Sequence, residues 1–210
     1  MLTESLLQAL DARRSVPSKQ LGEPGPDAAT LARMLASAVR VPDHGKLVPF
    51  RFLHIHGDAR HALGDRLAAR TRALDPDAPD AVMEKDRGRF SSAPDIITVI
   101  ARLTSGHKVP EQEQLLTAGS VCFALLQAAQ GFGFGAQWLT GWMAYDEHVS
   151  QMLGLAPNEK VVGFIHIGTP RLEAPERERP GPATLLSEWA PDAWAGAPAP
   201  ALPGRRQPGR

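Results

Sequence analysis

The chain has 210 residues, with 23 basic and 23 acidic side chains balancing to a formal net charge of zero. That length suits one domain with an appendage and excludes two full domains, while the charge balance excludes a nucleic-acid or membrane-surface role driven by net charge. Cys122 is the sole cysteine, so there is no intrachain disulfide or cysteine-based zinc site, and a cytoplasmic setting is expected.

The start, Met1-Leu2-Thr3-Glu4-Ser5, shows neither the basic nor the apolar run of an export signal. Thr3 as a cap and the spacing of Leu6, Leu7 and Leu10 predict a helix over 3–13, ending at Arg13-Arg14-Ser15. A second helix is expected to begin near Asp27, turn Leu31, Met34, Leu35 and Ala38 inward, and stop before Pro42. The loop that follows, Arg40 to Pro49, holds Arg40, His44 and Lys46 without a matching crowd of carboxylates. Such a loop suits an anionic ligand.

Residues 50–56 read as a strand, with Phe50, Phe52, His54 and His56 on one face. Helical patterns over 59–74 and 80–90 flank the turn Asp75-Pro76-Asp77-Ala78-Pro79. The strand Ile96 to Ala101 is apolar on both faces and is expected to be central. A long helix from Glu111 to Gln130, strands at 135–139 and 160–167, and a short helix over 146–153 complete the body. The uncharged run Gln114 to Tyr145 is interrupted by glutamines and glycines, so it reads as a core element and not a membrane span.

Nine of the 19 prolines stand at or after Pro170, which excludes a compact helical or sheet domain there. The expected division is a body over 1–170, an arm over 171–194 that packs on the body or a second subunit through Leu185, Leu186, Trp189 and Trp194, and a disordered tail over 195–210.

Several motifs have ordinary explanations. Gly131-Phe132-Gly133-Phe134-Gly135-Ala136 has the glycine spacing of a dinucleotide site, but a helix precedes it and a strand follows, the reverse of what such a site requires. His44, His54, His56 and His61 lack the spacing of a known metal motif. Cys122 sits in an apolar helix as a core residue. Arg13, Arg14 and Ser15 are suited to an anion, because arginine offers a planar fork of donors and a serine hydroxyl can complete the cradle.

The order of Arg13-Arg14-Ser15, Arg40-Val41-Pro42-Asp43-His44, Pro49-Phe50-Arg51-Phe52, Pro94-Asp95-Ile96-Ile97, His107-Lys108-Val109-Pro110, Gln130-Gly131-Phe132-Gly133, Trp138-Leu139-Thr140-Gly141 and Val162-Gly163-Phe164-Ile165-His166-Ile167-Gly168-Thr169-Pro170 resembles the FMN-dependent nitroreductase family, and within it the small YdjA-like branch. The resemblance spans about residues 3–175. It implies an α+β fold with a central mixed β-sheet flanked by helices, assembled as an intertwined homodimer with FMN at the subunit interface. It assigns Arg13, Arg14, Ser15 and Arg40 to FMN, His44 with Lys46 to the flavin of the other subunit, and Trp138, Leu139, Thr140 and Gly141 to the segment along the flavin. Leu139 departs from the polar or basic residue often found there and offers only backbone and apolar bulk.

The implied activity is hydride transfer from NAD(P)H through FMN to nitroaromatic, quinone-like or related small-molecule acceptors. Residues 75–92 are expected along the acceptor slot. No dedicated acid or base is required, so no catalytic residue is named. A related reaction on the same flavin, such as dehalogenation or flavin fragmentation, and a non-catalytic flavin-binding role are the alternatives.

Overall fold

The computed structural model describes residues 2–189. Their contacts divide after Pro175 into a body and a second, short unit. The body contains α1 Leu2–Asp11, β1 Leu21–Gly22, α2 Ala28–Ala38, β2 Phe50–His56, α3 Asp58–Leu74, α4 Asp80–Arg87, β3 Asp95–Arg102, α5 Glu111–Gly131, β4 Gly135–Leu139, α6 Glu147–Met152 and β5 Glu159–Pro170. The helix ends obey local rules. Asp27 accepts from Thr30 N at 2.7 Å to start α2, and Asp146 accepts from Val149 N at 2.9 Å to start α6.

β3 pairs with β2 on one side and β5 on the other, the central place its apolar composition anticipates. β4 pairs with β5 on the side away from β3, so β2 and β4 lie on opposite edges, and β1 pairs with the end of β5 at Thr169 and Pro170. Every pairing among the described residues is antiparallel. The two-residue β1 carries no periodic signal and went unforeseen; it forms because Leu21 and Gly22 meet Pro170 and Thr169.

Helices cover both faces. On one, α2 and α5 pack Met34, Ala38, Val121, Cys122 and Leu125 onto Ile97, Val99, Ile165 and Ile167. On the other, Leu63 and Leu67 of α3 join Phe90, Met143 and Val149 over Ile96 and Phe164. The order of α5 before β4 is the reverse of a dinucleotide site, as read from the sequence.

Among the described residues, α5 and α1 each present exposed apolar side chains. On α5, Leu115, Leu116 and Phe123 are exposed while the opposite stripe is buried. On α1, Leu6, Leu7 and Leu10 are exposed. Contiguous exposed apolar surface marks an interaction face.

His54 is hydrogen-bonded to Asp95 at 2.7 Å and stacked on His56 at 4.2 Å. Among the described residues no group of three or more His, Cys, Asp or Glu could hold a metal ion. Nor, among them, is any helix long and apolar enough to cross a membrane. The second unit, from Glu176, contains a short 3₁₀ turn at Pro182–Thr184, with Leu185, Leu186 and Trp189 exposed. Trp194 and the expected tail over 195–210 lie outside the described residues.

Candidate functional site

β4 runs out of the sheet through Trp138-Leu139-Thr140-Gly141, and this segment walls a cavity of about 450 Å³. That size is within the range of small-molecule sites. Gly141 begins the 3₁₀ turn Trp142–Ala144 at φ 78°, a left-handed conformation that a Cβ disfavours. The turn brings Met143 to the cavity wall.

Ser18 and Lys19 form a second wall. They arrive from Arg13-Arg14-Ser15 along β4: Val16 N donates to the Ala136 carbonyl at 3.1 Å, and Ser18 N donates to Gln137 Oε1 at 2.5 Å. Gly135 permits this close passage, since a Cβ there would fall 2.8 Å from Leu21 Cδ2 and 3.0 Å from Val16 Cγ2.

The third wall comes from α4 and the turn after it, with Glu84, Lys85, Gly88 and Arg89. Asp86, 3% exposed, anchors this wall. It accepts from Thr71 Oγ1 at 2.7 Å, from Trp142 Nε1 at 3.3 Å and from Arg89 Nε. Burial alone would raise the Asp86 carboxyl, but the hydrogen bonds from Thr71, Arg89 and Trp142 together hold it below its ordinary value. Three cations, Lys19, Lys85 and Arg89, face one carboxylate, Glu84, so the lining favours an electron-rich or anionic ligand.

His166 of β5 also lines the cavity. It is 1% exposed and lies nearly parallel to Phe90, with ring centroids 5.5 Å apart. Neither ring nitrogen has a hydrogen-bond partner. Burial pushes its pKa down to about 4, so the imidazole is neutral at neutral pH.

The structure distributes the residues expected at the site. Trp138, Leu139, Thr140 and Gly141 line the cavity, whereas Arg13, Arg14 and Ser15 are not among its lining residues and precede the Ser18 wall in the chain. Arg13 donates to Ser15 Oγ at 3.3 Å, and Arg14 donates to the Arg13 carbonyl at 3.0 Å.

Arg40, His44 and Lys46 do not line this cavity. Their loop leads into β2, on the sheet edge opposite β4. Three strand spacings, about 14 Å, separate those edges. The loop is tightly specified: Lys46 and Val48 both have positive φ, 54° and 48°. Asp43 accepts from Val48 N at 2.8 Å and Leu47 N at 3.2 Å. A β-branched residue in that region is strained and persists only where its surroundings enforce it. His44 Nδ1 is 2.7 Å from Glu113 Oε2 of α5.

Lys19, Lys85, Arg89 and His166 are cavity residues that sequence reasoning did not single out. Arg89 and Lys85 fall within the 75–92 segment expected along the slot. His166 carried its own signal, as the one ionisable side chain within the otherwise apolar run Val161 to Ile167.

Residues 10–169 match the Nitroreductase family. The chain belongs to that family. The nitroreductase-family relatives include YdjA of Escherichia coli (strain K12), named as a candidate NAD(P)H nitroreductase, which is 36% identical over 168 residues spanning 80% of this chain and 90% of YdjA. A Haemophilus influenzae protein similarly named is 32% identical over 173 residues, 82% of this chain and 91% of its own length. Among solved structures, a nitroreductase-like protein from Bacillus cereus superposes with a TM-score of 0.73 at 23% identity, covering 89% of this chain and 96% of that one. A Desulfovibrio desulfuricans nitroreductase-type protein in complex with FMN gives a TM-score of 0.67 at 26% identity, covering 88% and 96%. The fold is thus nitroreductase-like, and membership places the chain among flavin oxidoreductases.

Proposed function

We propose that the protein is an FMN-dependent NAD(P)H oxidoreductase, passing reducing equivalents to nitroaromatic, quinone-like or related small acceptors, and that it works in the cytoplasm as a homodimer. The observation that carries this reading is the electropositive cavity walled by Trp138 to Gly141. FMN fits it on three counts: the lining bears three cations, the polypeptide enters the wall directly from Arg13-Arg14-Ser15, and His166 offers a buried ring without a partner. When bound, FMN supplies the two-electron chemistry between NAD(P)H and the acceptor.

The residues divide that task. Arg13 and Ser15, already 3.3 Å apart, suit the phosphate. Arg14, Lys19 and Arg89 would supply positive charge to a bound ring, on which reduction builds negative charge. Trp138, Leu139, Thr140 and Gly141 shape the edge of a slot for flat molecules, Leu139 through bulk and backbone alone. Asp86 holds Arg89 against the wall. No side chain has to carry a proton for the electrons to move.

Arg40, His44 and Lys46 share a loop on the sheet edge opposite their own chain's cavity, so all three are assigned through the interface to the FMN of a second copy, in place of the own-subunit role expected for Arg40. The exposed faces of α1 and α5 are the apolar surface that second copy would cover. Among the relatives, the named reductant is NAD(P)H.

The test is an anaerobic titration of purified protein with NADH and with NADPH, followed by visible absorbance. Bound flavin bleached by either reductant and restored by an added quinone or nitroaromatic is the expected result. A protein that takes up no FMN, or whose flavin neither reductant bleaches, overturns the reading.

A further inference from the structure

Among the described residues, three polar side chains hold buried atoms without a partner: Thr98, Gln127 and His166. Thr98 and Gln127 do not line the cavity, whereas His166 does. An unpaired buried polar group costs stability, and each one in a native structure calls for an explanation.

The groups packed around His166 satisfy neither of its ring nitrogens. Its ring is sandwiched by position: Ile96 of β3 and Gln137 of β4 flank it in the ladder, and Phe90 lies parallel to it. Gln137 directs its amide oxygen to Ser18 N. Apolar packing there would be served by phenylalanine or leucine without the cost of two orphaned nitrogens. The ring is also in no ion pair, so charge is not what it contributes.

We propose that His166 hydrogen-bonds the flavin ring from the cavity wall, as a neutral contact that sets cofactor affinity and the electronic environment of the bound ring. A neutral imidazole carries one donor and one acceptor, and χ2 is a soft torsion that can turn either toward the cavity. The alternation of donors and acceptors on a flavin's pyrimidine edge can use either one. The contact differs in kind from those of Lys19, Lys85 and Arg89. It adds orientation without charge, and so discriminates ring heteroatoms from a simple anion.

This inference rests on the FMN reading, and the experiment separates the two. Apo wild type, His166→Phe and His166→Gln are each titrated with FMN, recording Kd and the visible spectrum of the bound flavin, and melted without cofactor. The expected result has three parts. His166→Phe binds FMN about tenfold more weakly, with a shifted flavin spectrum. Its apo form melts at an equal or higher temperature, because the orphaned nitrogens are gone. His166→Gln, which keeps a neutral donor and acceptor, recovers affinity. If His166→Phe matches wild type in Kd and spectrum while wild type binds FMN, this inference alone is overturned. If His166→Phe fails to fold, His166→Gln and His166→Leu decide it: equal FMN affinity in those two overturns the proposal, and tighter binding by the glutamine variant supports it. Wild-type protein that takes up no FMN overturns the flavin reading and this inference together.

Discussion

The indole of Trp138 rests on the bare backbone of Gly163: a Cβ placed on that glycine would fall 2.0 Å from Nε1 and 2.3 Å from Cδ1. The same Nε1 donates to the Val162 carbonyl at 3.2 Å. Gly163→Ala must therefore push the ring off the strand and break that hydrogen bond. The expected cost is about 1–3 kcal/mol by denaturant unfolding, together with weaker FMN uptake, because Trp138 forms part of the cavity wall. Unchanged stability and FMN affinity would show that the ring relocates freely.

Asp86 ties α3, α4 and the Trp142 turn together through Thr71, Arg89 and Trp142. Removing one partner of a buried ion pair strands the other charge, so Asp86→Ala should cost about 3 kcal/mol. Asp86→Asn keeps part of the hydrogen bonding and should cost less. The Asp86 contribution is present above the ordinary aspartate range and is lost as pH falls through its lowered value. Urea unfolding of the three proteins at neutral pH checks the order.

His166 makes stability depend on pH in a higher window. Its folded value of about 4 lies below the ordinary 6.5, so between those limits the unfolded chain binds more protons and stability falls as pH falls. The contribution is fully present above 6.5 and gone below about 4, an effect of up to about 3 kcal/mol. The charged neighbours lining the same cavity are Lys19, Lys85, Arg89 and Glu84. Apo His166→Phe should lose this part of the slope between pH 7 and pH 4, as measured by unfolding across that range. An identical slope in both proteins would show that His166 does not titrate with folding.

Mixed dimers test the proposed division of the cofactor site. Arg13→Ala alone should weaken FMN binding about tenfold or more, since a charge-assisted contact is lost. His44→Ala should weaken it through the neighbouring copy. A dimer with one Arg13→Ala chain and one His44→Ala chain should regain one good site, because one cavity then contains both native residues. Flavin content per dimer reads the result directly. Recovery of no site would place His44 with its own chain's cofactor.

Much of the fold was legible because its signals are local. Asp27 capping α2, the turn at 75–79 and the apolar run of β3 each depend on residues a few positions apart, and their elements formed within a few residues of the expected limits. The helix over 3–13 ends two residues early, at Asp11, and the pattern over 80–90 divides into α4 and a 3₁₀ turn at Gly88–Phe90. The segment Trp138 to Gly141 was singled out by its motif, and it walls the cavity. Lys19 and Lys85 were not, because an isolated lysine before a turn or on a short helix looks like any solvated charge.

By itself the sequence determined the elements longer than β1, the family and the two cation-bearing segments, since capping, periodicity and motif order are properties of neighbouring residues. Only the tertiary structure decided which of them share a cavity. β5 pairs with β3 on one side and with β4 on the other, and that register sets His166 beside the Ser18 and Arg89 walls. The same sheet puts His44 on the far edge from Trp138. Such juxtapositions come from strand order and long-range packing, which no window of local sequence contains.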